Sequence, residues 1–409
     1  IAGAGSGKTR VLTYRIAQLL SQGVPAYKIL ALTFTNKAAR EMQKRIAELV
    51  GQEIAANLWM GTFHSIFSKI LRFEAEKLGY TSSYTIYDTQ DSKNMIKAIV
   101  KDMKLDDKIY KPSTILGRIS MAKNNLIVAQ SYAQSSRILS EDTAGKRPLL
   151  GEIYKQYQQR CKQSDTMDFD DLLLQTNILF RDFPDILAKY QQKFNYILVD
   201  EYQDTNEVQN AIFRAVSREG KNLFTVGDVK QSIYRFRLAD PTIFLDKYRR
   251  FTPAENAAEG ENRKILLSKN FRSRGEILDA ANFVFSNILS AEMGEMEYGE
   301  DESLHFGAEY YPPRKDCETE FHLISAHQKS AANERPVKRL LAEARFTAQR
   351  IRQLLDEGYP VTGEDGTLRP CRPEDIVILM RSPGSRSAAF AQALAERDVP
   401  CSFEESGDF

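Results

Sequence analysis

The sequence predicts an α/β protein whose parallel sheet is interrupted by a helical insertion. Apolar strand patterns lie at 29–34, 196–199 and 223–226, and the last two end at polar loops. Between about 84 and 189, helical periods dominate and strand-like runs are scarce. Because ligands bind beyond the carboxyl ends of parallel strands, we expect a site in the loops that follow these strands. Further strand candidates lie at 320–324 and 376–380.

A phosphate-binding loop at the start of the chain is the first element of that site. Residues 2–9 read AGAGSGKT, a small residue followed by four others and then Gly-Lys-Thr. Small residues let backbone N–H groups converge on phosphate oxygens, and the helix that follows adds its positive N-terminal end. Lys8 can then reach the β- and γ-phosphates, while the Thr9 hydroxyl binds Mg²⁺. The loop residues expected to bind the nucleotide are Gly3, Ala4, Gly5, Ser6, Gly7, Lys8 and Thr9.

A short apolar strand that delivers two adjacent carboxylates is the second element. Residues 197–204 read ILVDEYQD, and an apolar run of this kind fits a buried parallel strand. Asp200, at the carboxyl end of the strand, can hold the Mg²⁺ shell, and Glu201 can accept a proton from the attacking water. The two elements together predict an NTPase site.

Composition excludes a membrane-spanning class. A chain of 409 residues with 42% hydrophobic content can form two or three domains with large cores. The longest apolar run near a strand pattern, 376–380, is far shorter than the ~18 to 20 residues of a bilayer helix. No secretory signal is visible, so we expect a cytoplasmic protein. Its cysteines form no C-x-x-C pair, which argues against a zinc knuckle or a disulfide framework.

Charge patterning, rather than net charge, indicates a nucleic-acid partner. The net charge is only +1, from 56 basic and 55 acidic residues. Within 234–237, however, Tyr234 and Phe236 alternate with Arg235 and Arg237, which is typical of single-strand binding segments. A second basic cluster, at 37–45, is equally compatible with a solvated helix face.

Further motifs follow in a fixed order and resemble a known family. They are TFTNKAA at 33–39, GTFHS at 61–65, DFDDL at 168–172, VDEYQDT at 199–205, GDVKQSIYRFR at 227–237 and NFRS at 270–273. With the phosphate loop, they resemble superfamily 1 DNA helicases of the UvrD/Rep/PcrA and AddA kind. Residues up to about 216 look like the UvrD/Rep/PcrA branch, whereas 227–240 and 304–311 look more like AddA, the helicase–nuclease subunit.

The resemblance implies a domain organisation. A RecA-like P-loop NTPase domain with a parallel sheet would comprise residues 1–84 and 190–264. A helical insertion would occupy 85–189, and a partial second RecA-like domain 265–409. The strand and glutamine motif that precede the phosphate loop in the family, and motifs that would follow Phe409, are not in this sequence. The resemblance therefore predicts an incomplete site in the segment as written.

The resemblance also implies residue roles around the nucleotide. Gln231 would sense the γ-phosphate, and Arg272 would be an arginine finger that neutralises charge on the transferring phosphoryl group. Phe271 and Arg10 are candidates for packing on the adenine.

Roles on DNA follow from the same resemblance. Phe34, Tyr234 and Phe236 would stack on bases, and Thr33, Asn36, Thr62, His64 and Arg237 would be polar contacts. A buried structural histidine is the alternative for His64.

The function implied is that of an ATP-dependent 3′-to-5′ DNA helicase or translocase in DNA repair or recombination. It would use ATP and Mg²⁺, act on single-stranded DNA and duplex junctions, and have a nuclease or accessory subunit as a possible partner. The alternative is an ATP- and DNA-binding module or scaffold subunit that does not unwind DNA.

Overall fold

A computed structural model describes residues 1–235, 238–294, 296–312, 314, 317–324, 339–363, 366–381 and 384–402. The chain divides into two compact units. The first unit comprises Ile1–Arg272 and Phe285–His305, and the second comprises Ser273–Val284 and Phe306–Phe409.

The described residues form helices throughout the chain and short strands between them. The helices are α1 (Lys8–Ser21), α2 (Asn36–Val50), α3 (Gln52–Ala56), α4 (Phe63–Glu74), α5 (Thr89–Asp102), α6 (Pro112–Asn124), α7 (Ala129–Gln134), α8 (Ser136–Ala144), α9 (Leu150–Gln163), α10 (Phe169–Asp182), α11 (Pro184–Lys193), α12 (Glu207–Val216), α13 (Thr242–Arg250), α14 (Gly275–Ile288), α15 (Ala291–Gly294), α16 (Arg339–Asp356) and α17 (Gly384–Ala395). The strands are β1 (Ile29–Thr33), β2 (Trp59–Thr62), β3 (Thr85–Tyr87), β4 (Thr166–Asp168), β5 (Tyr196–Val199), β6 (Leu223–Thr225), β7 (Thr252–Pro253), β8 (Arg263–Lys264), β9 (Lys269–Asn270), β10 (His305–Phe306), β11 (Pro360–Thr362) and β12 (Leu368–Pro370).

The central sheet of the first unit is parallel and has the strand order β2-β1-β5-β6. All residues of β1 are buried, and three of the four residues of β5 are buried, which is typical of strands covered by helices on both faces. The predicted α/β fold class with a parallel sheet is therefore confirmed. The strand patterns at 29–34, 196–199 and 223–226 correspond to β1, β5 and β6.

Alternate residues of β1 supply two separate cores because successive side chains in a strand point to opposite faces. Leu30 and Leu32 belong to one core, with residues of α4, α10 and α12. Ile29 and Ala31 belong to the other, with residues of α1 and α2. The sheet is thus covered on both faces, and its carboxyl edge remains for the loops.

The segment between β3 and β4 forms the predicted helical region and has a core of its own. Buried side chains from Ile96 to Cys161, on α5, α6, α7 and α9, pack together there. β3 pairs in parallel with β4, so the two ends of this segment lie side by side. Helices α10 and α11 instead contribute to the core of the sheet, for example through Leu172 and Tyr190.

The second unit is built around the packing of α16 on α17, through buried residues such as Ala348 and Leu394. β11 and β12 form an antiparallel pair. The predicted strands at 320–324 and 376–380 are wrong: these residues are not assigned to a strand in the structure. Residues 376–380 keep the alternation of a strand, since Ile376 and Ile378 pack on the helices and Val377 and Leu379 are exposed. Alternation without a hydrogen-bonded partner does not make a strand.

No helix in the described part of the chain is both long and apolar enough to cross a membrane.

A buried ion cluster fixes α6 of the helical segment to the start of α10. Lys123 Nζ lies 2.7 Å from Asp168 Oδ2 and 2.9 Å from Asp171 Oδ2, and the Lys123 side chain is 1% exposed. Tyr157 donates a hydrogen bond to Asp168 as well. Burial alone lowers the pKa of Lys123, but the carboxylates of Asp168 and Asp171 raise this pKa well above its usual value. Asp168 and Asp171 also form the capping box of α10, so the cluster and the helix start stabilise each other.

We predict that Lys123→Met lowers the free energy of unfolding by about 3–5 kcal/mol, because it leaves two buried carboxylates without their cation. Lys97→Met, at an exposed position on α5, is the matched control and should change it by less than about 0.5 kcal/mol. Urea unfolding followed by circular dichroism measures both changes. Equal midpoints for the two variants would contradict the structural importance of the cluster.

Candidate active site

The phosphate-binding loop has the backbone that its glycines permit. Gly5 and Gly7 have φ values of 68° and 87°, in the region that side chains disfavour. The Ser6 N–H and hydroxyl both bond the Gly3 carbonyl oxygen, at 3.2 and 2.8 Å. Lys8 and Thr9 begin α1 directly after Gly7, so the loop leads into a helix N-terminus as the sequence predicts.

Asn270 and Phe271, which lie far from the phosphate-binding loop in sequence, form hydrogen bonds with it. Asn270 Nδ2 donates to the Ala4 carbonyl oxygen at 2.7 Å, and the Phe271 N–H donates to the Gly5 carbonyl oxygen at 2.9 Å. A Cβ on Gly5 would lie 2.4 Å from Asn270 Nδ2, so only glycine fits there. Asn270 has no role among the sequence predictions, although it begins the predicted motif NFRS.

The loop joins the segment after β6 through Lys8. The Lys8 ammonium donates to Gln231 Oε1 at 2.6 Å, and Gln231 Nε2 donates to Asp228 Oδ2 at 2.7 Å. Two residues predicted to contact the same γ-phosphate therefore lie in direct contact with each other.

The loop joins the segment after β5 through Thr9. The Thr9 hydroxyl donates to Asp200 Oδ2 at 3.2 Å. Burial, together with the neighbouring Glu201 carboxylate, raises the pKa of Asp200 to about 6. Hard divalent cations prefer oxygen ligands, and the Thr9 hydroxyl and the poorly solvated Asp200 carboxylate supply two of them. The described residues contain no group of three or more His, Cys, Asp or Glu that could hold a metal, so such a cation would have few protein ligands.

Glu201 has a left-handed backbone, with φ 49° and ψ 42°, a conformation that is uncommon for residues other than glycine. Its Oε2 accepts a hydrogen bond from Gln203 Nε2 at 2.6 Å. Gln203 Oε1 in turn accepts from the Asp228 N–H at 3.0 Å. Gln203, which the sequence predictions omit, thus fixes the Glu201 carboxylate relative to the loop after β6.

The candidates for contacts with the adenine and the phosphoryl group lie next to the phosphate-binding loop. Arg10 follows the loop in sequence, and the Phe271 N–H donates to the Gly5 carbonyl oxygen. Phe271 is half exposed, and Arg272 is exposed next to it. The Arg10 guanidinium lies 5.4 Å from the centre of the Tyr14 ring. These positions agree with an accessible site, and the roles of the three residues stay predictions.

Several candidate DNA contacts lie at the same carboxyl edge of the sheet. Thr33 and Thr62 are opposite each other in β1 and β2. Thr33 is buried, and the Thr62 oxygen caps α4 by accepting from the Ser65 N–H. The Phe34 ring packs edge-on against Phe63 at 4.7 Å. Among these four candidates, only Asn36, at the start of α2, is exposed.

The remaining candidate DNA contacts are His64 and the aromatic segment after β6. His64 is partly buried in the first turn of α4, with its ring 5.4 Å from the Phe169 ring. Burial lowers the pKa of His64, and the Asp170 carboxylate offsets this only in part, so the neutral ring is favoured. This environment favours the structural alternative for His64. Tyr234 is partly buried, and Phe236 and Arg237 lie outside the described residues.

Comparison with known proteins identifies relatives of this chain. Residues 1–252 match the family described as the UvrD/REP helicase N-terminal domain. The ATP-dependent DNA helicase PcrA of Leuconostoc citreum is 43% identical over 288 residues, which are 70% of this chain and 37% of that protein. The ATP-dependent DNA helicase PcrA of Bacillus subtilis is 38% identical over 351 residues, which are 85% of this chain and 45% of that protein.

The chain thus spans less than half the length of the curated relatives that it matches. The family match covers more than half of the chain and includes the phosphate loop, Asp200, Glu201 and Gln231. The chain belongs to the UvrD/REP helicase family.

Proposed function

We propose that this chain is the ATP-hydrolysing core of a 3′-to-5′ DNA helicase or translocase that acts in DNA repair or recombination. The observation that carries the proposal is the convergence of three loops on one site: Lys8 contacts Gln231, and Thr9 contacts Asp200. The relatives are named ATP-dependent DNA helicases, which supports the same activity. The polarity is supported by the resemblance of the sequence motifs alone.

In the proposed site, the nucleotide phosphates lie on the loop from Gly3 to Thr9. Backbone N–H groups and the start of α1 bind the phosphate oxygens, and Lys8 neutralises the terminal phosphates. Thr9 and Asp200 would hold Mg²⁺, which when bound supplies positive charge that stabilises the transferring phosphoryl group. Lys8 would donate to the phosphates in place of Gln231 Oε1, and Gln231 Nε2, which donates to Asp228 in the structure, would donate to the γ-phosphate.

Hydrolysis in the proposed site depends on Glu201 as the base for the attacking water. The bond from Gln203 leaves the second carboxylate oxygen of Glu201 to accept a proton, and it holds the side chain in one orientation. Arg272 is proposed as the arginine that stabilises charge on the phosphoryl group. Arg10 and Phe271 are proposed to pack on the adenine.

Single-stranded DNA is proposed to cross the carboxyl edge of the sheet. Phe34, Tyr234 and Phe236 would stack on bases, while Asn36 and Arg237 would contact phosphates. Thr33, Thr62 and His64 remain proposed polar contacts. Thr33 and Thr62 are buried and His64 is partly buried, so DNA would have to reach them through a rearranged edge.

We also propose the domain organisation that the resemblance implies. Residues 1–84 and 190–264 would form the first RecA-like domain, 85–189 the helical insertion, and 265–409 part of a second RecA-like domain. The core of the helical segment, from Ile96 to Cys161, lies within the proposed insertion. The likeness of 227–240 to AddA supports a nuclease or accessory subunit as a partner, on sequence alone.

We predict that Glu201→Gln retains ATP binding and lowers DNA-stimulated ATP turnover by about 10²–10⁴-fold, because the shape of the side chain survives and the base does not. Lys8→Ala, the comparison variant, should lose both binding and turnover. Nucleotide titration and phosphate release in the full-length gene product measure these effects. Parental turnover by Glu201→Gln would refute the assignment of the base, and absence of ATP hydrolysis in the parental protein would favour a module that only binds.

We predict that Tyr234→Ala weakens oligo(dT) binding by about 1–3 kcal/mol, the value of one stacked base. The matched control is Tyr27→Ala, which removes an exposed tyrosine from the turn before β1. Fluorescence anisotropy across a salt titration gives both affinities. If the two variants bind DNA equally well, Tyr234 belongs to the core and not to the DNA surface.

A further inference from the structure

One buried amide in the helical segment connects the loop after β5 to the start of α10, which lies beside His64. Asn124 is the last residue of α6 and is 8% exposed. Its Oδ1 accepts from Asn206 Nδ2 at 2.7 Å, and its Nδ2 donates to Asp170 Oδ1 at 2.8 Å. The second Nδ2 hydrogen is donated to the Ser120 carbonyl oxygen at 2.9 Å. Both amide hydrogens and the amide oxygen thus have partners, which fixes the orientation of the amide.

The first partner, Asn206, belongs to the loop that carries the catalytic carboxylates. This loop runs from Asp200 through the turn Tyr202–Asp204 to Asn206, which caps α12. Asn206 and Gln209 form a reciprocal capping box, with N–H to oxygen distances of 3.1 and 3.0 Å. The position of Asn206 therefore fixes the end of the loop that begins at Asp200.

The second partner, Asp170, lies beside the proposed DNA edge. It is in the first turn of α10 and follows Phe169, whose side chain is exposed and whose ring contacts His64. The Asp170 carboxylate also acts electrostatically on His64. Any shift of Asp170 therefore changes the surroundings of a proposed DNA contact.

We propose that Asn124 is a positioning residue that couples the nucleotide site to the DNA edge. This inference rests on the proposed function. A shift of the loop after β5 on nucleotide binding is passed through Asn206 and Asn124 to Asp170, because breaking either bond would leave a buried polar group without a partner. The neighbouring Lys123, held by Asp168 and Asp171, prevents the end of α6 from moving independently of α10.

The test is the effect of nucleotide on DNA affinity in the full-length gene product. We would measure the Kd of fluorescein-labelled oligo(dT) by anisotropy with and without Mg²⁺ and a non-hydrolysable ATP analogue. Coupled sites typically change such a Kd by 5–150-fold, in either direction. Asn124→Ala should bring the ratio of the two Kd values at least about threefold nearer to one. Because the ratio compares one preparation with itself, a fraction of the variant that is irreversibly unfolded scales both Kd values alike and leaves the ratio unchanged.

Three further variants separate coupling from folding. Asn125→Ala removes the neighbouring exposed amide, which donates to the Met121 carbonyl oxygen of the adjoining helix α6, and should keep the parental ratio. Asn124→Asp keeps the shape but places a carboxylate against Asp170, and should lower the coupling. Adding Asp170→Asn restores a donor opposite an acceptor, so the double variant should regain part of the parental ratio.

The outcomes distinguish this inference from the proposed function. A parental protein that binds neither nucleotide nor DNA would refute the proposed function itself. A parental protein with coupled binding, together with unchanged ratios in Asn124→Ala and Asn124→Asp, would overturn the role of Asn124 alone. Loss of coupling in Asn124→Asp with no recovery in the double variant would overturn the connection through Asp170.

Discussion

The parallel direction of β1, β5 and β6 is the constraint on which the candidate site depends. Parallel strands end at the same edge of a sheet, so the loops after them must meet there. In this chain, β1 lies between β2 and β5, and β6 follows β5. The segments that follow β1, β2, β5 and β6 therefore share one edge, although they are distant in sequence. A short phosphate loop can contact two of these segments only because the sheet brings them together.

Polar contacts between the loops give this edge its particular geometry. Apolar packing on the two faces holds the strands but does not place the side chains that follow them. Two amides place these side chains. Asn270 bonds the phosphate loop, and Gln203 bonds both Glu201 and Asp228. Each of these amides both donates and accepts, and an unsatisfied buried partner costs about 1–3 kcal/mol. The arrangement is therefore held by hydrogen bonds, which can break and form again.

The fold class and the phosphate loop before α1 were accessible from sequence because they depend on local patterns. Apolar runs predicted β1, β5 and β6, and the spacing of Gly5, Gly7 and Lys8 predicted a loop before a helix. The long-range hydrogen bonds of Asn270 and Asn124 were not accessible. Asn270 lies far from Ala4 in sequence, and Asn124 lies far from Asn206.

An alternating apolar pattern also gave a wrong strand prediction, because a strand needs a hydrogen-bonded partner. Residues 376–380 alternate as a strand does, yet they have no ladder partner in the described structure. Thr62, which the family resemblance implies as a DNA contact, caps α4 in the structure. The Thr62 hydroxyl therefore has a structural use, and its role on DNA stays a prediction.

The central claim is that the phosphate loop and the carboxylate after β5 form one nucleotide site through Thr9 and Asp200. Calorimetric titration of the full-length gene product with ATP, in Mg²⁺ and in EDTA, tests it most directly. We expect ATP to bind at least about tenfold more tightly with Mg²⁺, which corresponds to about 1.4 kcal/mol, and we expect Asp200→Asn to abolish this difference. Equal affinity in Mg²⁺ and EDTA for the parental protein, or an undiminished Mg²⁺ effect in Asp200→Asn, would contradict the account.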